Sequence, residues 1–185
     1  RNIMLSKVYT AGLCGIDGFE VLVECSGWDR LPRFEVVGLP DLAVKEAKER
    51  VRAACENSGI FFPSMDLTVN LAPANRKKEG SAFDLAILCA ILQCDGKIPR
   101  KLSLEDKSFV GELSLSGEVR SLSGVLCLTL AARAAGRREI FVPAANAREA
   151  AVVEGVTVYG VENVRQLLAH LCGQMPIAPT VYDRA

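Results

Sequence analysis

The sequence predicts an α+β fold in which helices pack on a mixed β-sheet. Strand-like alternation dominates the first forty residues, helical periodicity then interleaves with short apolar strands, and half of the 185 residues are hydrophobic. A chain this apolar buries enough surface to offset the entropy lost on folding, which excludes disorder as its dominant state. Its length is typical of one domain.

The first three elements are predicted to be strands. Residues 8–10 precede turn residues 12–18, and residues 19–24 alternate apolar and polar side chains, which is typical of an antiparallel hairpin. Residues 33–37 alternate again. A Gly-Leu-Pro break then ends the strand and offers Asp41 as the cap of a helix.

Helices dominate the middle of the chain. The clearest one covers residues 42–58, where apolar side chains recur every three or four residues and the pairs Lys45/Glu49 and Glu46/Arg50 are expected to face solvent. A buried strand over residues 66–71 follows. Residues 81–93 are apolar almost all round, which predicts a helix at the centre of the core.

The last third predicts shorter elements. These are a hairpin of residues 109–113 and 118–120, helices over 125–135, 145–152 and 161–171, and strands over 139–142 and 157–159. We therefore expect one domain over residues 4–172. Residues 173–185 contain two prolines and are expected to form a linker.

Composition argues against several functions. With 22 basic and 22 acidic residues the formal net charge is zero, so the long-range field that nucleic-acid binders use is absent. No apolar run approaches the roughly 20 residues of a membrane span. Seven cysteines lack a CxxC pair and only one histidine accompanies them, so we expect reduced thiols, no metal site and a cytoplasmic protein. That histidine, His170, is expected on the surface near a helix C-terminus.

The most informative segment is the loop before the central helix. Arg76, Lys77 and Lys78 precede Gly80 and Ser81. Because a helix N-terminus presents free N–H groups and a partial positive charge, we expect this loop to be a candidate site for an anion or DNA. It is not a nucleotide-binding P-loop, in which Lys and Ser or Thr directly follow the second glycine.

Two interpretations of Ser81 remain. With Asp84 it matches the [ST]-x-x-[DE] capping box, in which both side chains bond the first turn of the helix. The alternative makes Ser81 a nucleophile with a lysine as its base. Capping is favoured, because an activated serine needs a desolvated base while a capping serine needs only the helix.

Ordered motifs then point to a family. They are VYTAGL at 8–13, FEVVGLPD at 34–41, NLAPA at 70–74, KEGSAFDL at 78–85 and GELSLSGEVR at 111–120. Together they resemble the amino-terminal domain of the magnesium-chelatase-like AAA+ ATPases, the ComM or YifB family, over about residues 5–171. That domain is similar to the proteolytic domain of Lon protease, which implies the ribosomal-protein-S5 domain-2-like fold.

The resemblance to Lon also locates two catalytic positions. Matching Lys78, Glu79 and Gly80 to Lon's Lys-Asp-Gly puts Ala82 on the catalytic serine, and a shift of one residue would put Ser81 there. In the following helix, Leu128 occupies the place of the catalytic lysine. The sequence has no lysine after Lys107 that could replace it.

The resemblance implies a noncatalytic accessory domain of a larger protein. In the family, ATP and Mg²⁺ belong to an ATPase module that we expect to follow the linker, so no cofactor is expected in this chain. The implied partners are that module, further copies in a hexameric ring, and DNA, on which the ring drives branch migration. A residual Ser–Lys peptidase and an independent weak DNA-binding module are the alternatives.

Overall fold

The fold is built on one seven-stranded mixed sheet. The computed structural model of the chain describes residues 3–183. The strands are β1 (Ile3–Cys14), β2 (Asp17–Trp28), β3 (Arg33–Val37), β4 (Asp66–Ala72), β5 (Lys107–Phe109), β6 (Glu112–Leu113), β7 (Val119–Arg120), β8 (Glu139–Pro143) and β9 (Thr157–Val161). The α-helices are α1 (Leu42–Lys45), α2 (Ala47–Asn57), α3 (Asp84–Cys94), α4 (Val125–Ala134), α5 (Ala147–Ala150) and α6 (Val164–Leu171).

Strand order in the main sheet is β3-β4-β2-β1-β5-β8-β9, while β6 and β7 form a separate hairpin. The strands β1, β2 and β4 pair antiparallel, and all other pairs in the main sheet are parallel. Parallel neighbours need crossover connections, and α1 with α2 provides the one between β3 and β4. The predicted mixed sheet with packed helices is confirmed.

Helices cover both faces of the sheet. Alternate residues of β8 show this, because Phe141 packs in a cluster with α2, α3 and α6 while Ile140 and Val142 pack in a second cluster with α4 and α5. All eleven residues of α3 are buried. The prediction of a central, apolar helix is therefore confirmed.

Several predicted boundaries were wrong. The first hairpin has a turn of only two residues, Gly15 and Ile16, because the strands continue to pair through residues 12–14 and 17–18. Glu46 separates α1 from α2. The central helix begins at Asp84 instead of residue 81, because Gly111 N–H donates to Ala82 O and Leu85 N–H donates to Gly111 O. These bonds hold residues 82–85 against the β5–β6 connection.

The tail that we expected to be a linker lies against the domain over its described part, residues 173–183. Thr180 N–H donates to Val158 O of β9 at 2.8 Å, and Ile177 N–H donates to the His170 ring at 2.8 Å. His170 is half-buried instead of lying on the surface. Residues 184 and 185 of the predicted linker lie outside the described residues, and a module beyond them stays a prediction.

Candidate functional site

The loop between β4 and α3 is fastened to the connection between β3 and α1. Asp41 N–H donates to Lys78 O at 2.9 Å and Lys78 N–H donates to Leu39 O at 3.0 Å. The Asp41 carboxylate caps α1 by accepting from Val44 N–H at 2.8 Å, which confirms the predicted cap, and it also accepts from Gly80 N–H at 3.1 Å. The Asp41 carboxylate therefore already accepts from one backbone N–H of the predicted anion-binding loop.

Lys78 is buried instead of exposed, which corrects its place in the predicted anion-binding loop. The side chain has 0% exposure, and its ammonium donates to the carbonyls of Gly38, at 2.7 Å, and of Pro73. Burial lowers the pKa of Lys78. The wrong prediction arose because a run of charges is usually solvated, while here the backbone carbonyls of two turns solvate the cation.

Arg76 and Lys77 remain as the exposed cations of the predicted loop. The Arg76 guanidinium lies over the ring of Phe19, 3.8 Å from its centroid, which is a cation–π contact with β2. Lys77 extends into solvent. The basic patch is therefore smaller than the sequence predicted.

Ser81 does not cap the central helix. Its hydroxyl donates to Glu112 Oε1, and Glu112 lies 3.6 Å from Arg120 in an ion pair across the β6–β7 hairpin. The residue before α3 is Phe83, which makes no side-chain cap bond. The predicted capping box is therefore wrong for Ser81. Within the part of the chain that the structure describes, no hydrogen bond joins the Ser81 hydroxyl to a lysine.

Asp84 is likewise not part of a capping box, because its carboxylate is buried in an ion pair. It accepts from Arg50 Nε at 2.6 Å, from Arg50 Nη2 at 3.0 Å and from Leu113 N–H at 3.0 Å. Burial raises the pKa of Asp84, and the hydrogen bonds from Arg50 and Leu113 oppose that rise. Arg50 also donates to Ala43 O. The Arg50–Asp84 pair therefore ties together α1, α2, α3 and, through Leu113 N–H, the small hairpin.

Sequence reasoning missed Arg50 and Glu112 as members of this polar cluster. Arg50 was expected to face solvent with Glu46, because the two residues lie one turn apart on a helix. Its partner Asp84 lies 34 positions away. Glu112 belongs to the GELSLSGEVR motif, which was the only signal available for it.

Leu128 lies inside the core of the other face. It has 2% exposure and belongs to the cluster formed with Val110, Val125, Ala132 and Ile140. Helix α4 begins after Gly124, whose φ of 77° is in the left-handed region that favours glycine. The position that the resemblance assigns to a catalytic lysine is thus filled by a packed aliphatic side chain.

Neither metal nor membrane features appear in residues 3–183. No group of three His, Cys, Asp or Glu side chains there lies close enough together to hold a metal ion. All seven cysteines are free, four of them buried. None of the described helices has the length and apolarity needed to cross a bilayer.

Comparison with known proteins identifies the family. The family described as "Subunit ChlI of Mg-chelatase" matches residues 23–146, more than half of the chain. The chain belongs to this ChlI family. The polar cluster around Asp84, the buried Lys78 and the core residue Leu128 all fall within the matched residues.

Several relatives align over almost the whole chain. An uncharacterized protein of Mycobacterium tuberculosis is 40% identical over 94% of this chain, and the competence protein ComM of Haemophilus influenzae is 36% identical over 96%. The YifB protein of Escherichia coli is 35% identical over 92%. This ChlI-family chain spans about a third of the length of these relatives, 34%, 35% and 33% respectively.

A more distant similarity reaches the Lon proteases. The Lon protease of Buchnera aphidicola from Schizaphis graminum is 27% identical over 68% of this chain and 17% of its own length. The recognition of a ChlI-type domain with ComM and YifB relatives and a distant likeness to Lon is thus confirmed.

Proposed function

We propose that this chain is a noncatalytic accessory domain of a ComM- or YifB-type AAA+ ATPase. It supports assembly of the ATPase ring or its engagement of DNA during branch migration in natural transformation and recombination. Membership of the ChlI family and the one-third share of ComM support a place within a longer protein. Its partners are then the ATPase module, other copies in a cytoplasmic homohexamer, and DNA, while ATP and Mg²⁺ act in that module.

The main support for this proposal is that each candidate catalytic residue makes contacts that stabilise the fold. Leu128 packs in the core, Lys78 bonds two backbone carbonyls, and Ser81 bonds a carboxylate. A serine hydroxyl becomes a nucleophile only when a base accepts its proton. Because an aliphatic side chain stands at the position of that base, we infer that the domain kept the scaffold of a protease but not its reaction.

We further infer that the fold is of the ribosomal-protein-S5 domain-2-like, Lon proteolytic-domain type. The distant Lon similarity supports this inference, since it extends over two thirds of the chain. The mixed sheet with helices on both faces is compatible with it.

Deleting the domain tests whether it contributes to the assembly or activity of the full-length protein. We expect full-length protein lacking residues 4–172 to form fewer ATP-dependent rings, measured by mass photometry, or to drive less branch migration on a four-way junction. A deletion variant equal to the intact protein in both measurements would contradict an accessory role.

A weak DNA-binding surface is the second candidate. The exposed Arg76 and Lys77 beside the Phe19 ring favour it, since cations next to an aromatic ring bind phosphates and bases. Two cations and zero net charge give little affinity in one copy. Several copies in a ring would raise the effective affinity.

The DNA hypothesis can be tested by titrating the chain with single- and double-stranded DNA at two salt concentrations. We expect the Arg76→Ala, Lys77→Ala double variant to weaken binding and to reduce the salt slope by about two, one phosphate for each cation. The exposed Lys101→Ala variant is the control. Binding that is independent of salt, or equally weakened by Lys101→Ala, would exclude this surface.

A residual peptidase that uses Ser81 with Lys77 or Lys78 is the remaining alternative. Lys78 is engaged by the Gly38 and Pro73 carbonyls, and Lys77 lies exposed four positions before Ser81. A lysine can act as the base only if its amine lies within hydrogen-bond reach of the serine hydroxyl, whatever its pKa. The contacts of Ser81 and Lys78 disfavour this alternative.

A further inference from the structure

The tail segment, residues 174–182, contacts the end of α6, the His170 ring and strand β9. Gln174 and Met175 N–H both donate to Ala169 O and so continue the end of α6, at 2.9 and 3.2 Å. After Pro176, the Ile177 N–H donates to His170 Nδ1, and after Pro179 the Thr180 N–H donates to Val158 O. Most side chains of the tail segment are exposed. The backbone contacts of Ile177 and Thr180 therefore contribute to the attachment of the tail segment, and the Ile177 side chain packs against the core.

The contact with His170 fixes the protonation state of the ring. A backbone N–H can only donate, so Nδ1 must carry a lone pair and no proton, and the ring must be neutral. Protonation would turn Nδ1 into a donor that faces another donor at 2.8 Å. Because both hydrogens would then point at each other, the contact would be lost.

The surroundings of His170 disfavour its protonated form. The ring packs on Tyr159 of β9, with centroids 4.8 Å apart, and edge-on against Phe141 of β8 at 5.4 Å. Burial lowers the pKa of His170, the charge of Glu139 opposes this effect, and the charge of Lys107 adds to it. Lys107 itself forms ion pairs with Glu139 at 3.0 Å and with Asp106 at 3.1 Å.

The tail segment covers an edge that would otherwise be open. Strand β9 is the last strand of the sheet and pairs with β8 on one side only. On its other side Thr180 forms an antiparallel bridge with Val158. An uncovered strand edge presents unpaired N–H and C=O groups that accept another strand. The tail segment therefore covers the β9 edge at Val158.

We propose that His170 holds Ile177 in place beside the β9 edge only while its ring is neutral, and that protonation of the ring loosens residues 177–180. The neutral ring predominates above the ordinary histidine value near pH 6.5. Because the folded ring binds its proton less tightly than an exposed one, the tail contact is complete above that pH. It is lost as the pH falls through the lower value of the folded ring.

The single histidine makes the test unambiguous, since every imidazole signal in a nuclear magnetic resonance spectrum comes from His170. We would titrate the 185-residue chain from pH 8 to pH 5 and follow the ring together with hydrogen exchange at Ile177 and Thr180. After correction for the intrinsic pH dependence of exchange, both amides should exchange about tenfold or more faster once the ring is protonated. Amides of β1 and β2 should not change.

Two variants complete the experiment. His170→Phe keeps an aromatic ring but removes the acceptor, so both tail amides should exchange rapidly even at pH 8. In His170→Asn, an amide oxygen can accept from Ile177 N–H without titrating, and tail exchange should not depend on pH. Tail amides that stay protected while His170 protonates would overturn the proposal, and so would an unchanged pH midpoint in His170→Asn.

Discussion

At the scale of single residues, Lys78 stabilises the structure by bonding main-chain oxygens. The Gly38 and Pro73 carbonyls that accept from its ammonium belong to two different turns, one after β3 and one after β4. A buried cation without acceptors would be strongly unfavourable, so this lysine requires both turns to be formed. The same requirement makes it unavailable for an anion or for Ser81.

Replacing Lys78 by methionine should destabilise the chain by about 3 kcal/mol, because two backbone carbonyls lose their charged donor. Lys77→Met is the matched control, since Lys77 is exposed and its replacement should change stability by less than about 0.5 kcal/mol. Urea unfolding followed by circular dichroism measures both. Equal stability of the two variants would show that the Lys78 contacts contribute nothing.

Removing Arg50 alone should destabilise the chain more than removing Arg50 and Asp84 together, as expected of a buried ion pair. Arg50→Met leaves the Asp84 carboxylate buried without its partner, which should cost about 3–5 kcal/mol. The double variant Arg50→Met, Asp84→Met removes both charges and should regain much of that loss. A double variant no more stable than Arg50→Met would mean that Asp84 depends on Leu113 N–H instead of on Arg50.

At the scale of elements, the parallel pair β3 and β4 depends on a close approach at Gly38. A Cβ placed there would lie 2.2 Å from Leu71 O of β4, and the glycine has φ of 111°. No side chain fits between these two backbones. The end of β3 can therefore turn toward α1 beside β4 only with glycine at this position.

Gly38→Ala should therefore destabilise the chain by more than about 3 kcal/mol, since strain and a steric clash add. Gly136→Ala is the matched control, because Gly136 also has positive φ, 98°, but has no atom within 4 Å of the added Cβ. Its cost should be only about 1–2 kcal/mol. Thermal or urea unfolding compares the two. A Gly38→Ala variant as stable as Gly136→Ala would disprove the close approach.

Elements with local signals were predicted well from the sequence. The alternation in β2 and β3, the Asp41 cap and the continuous apolar run of α3 are all read from neighbours within a few residues, and the structure agrees with them. The start of α3 was predicted wrongly because its capping pattern competes with bonds to Gly111. Local patterns do not contain such long-range partners.

At the scale of the whole molecule, the candidate site depends on contacts between distant parts of the chain. Arg50 meets Asp84 across 34 positions, Ser81 meets Glu112 across 31, and Lys78 meets Gly38 across 40. One sequence gives the residue types but not these pairings. The position of Leu128 was identified by resemblance, and its burial explains why a leucine is stable there.

The most direct test of a noncatalytic domain is a peptidase assay on full-length protein, with and without ATP, using a fluorogenic peptide and an unfolded protein as substrates. The matched control is Ser81→Ala, which removes only the hydroxyl that bonds Glu112. We expect no hydrolysis above background in either protein. Hydrolysis by the unmodified protein that disappears in Ser81→Ala would contradict the proposed function.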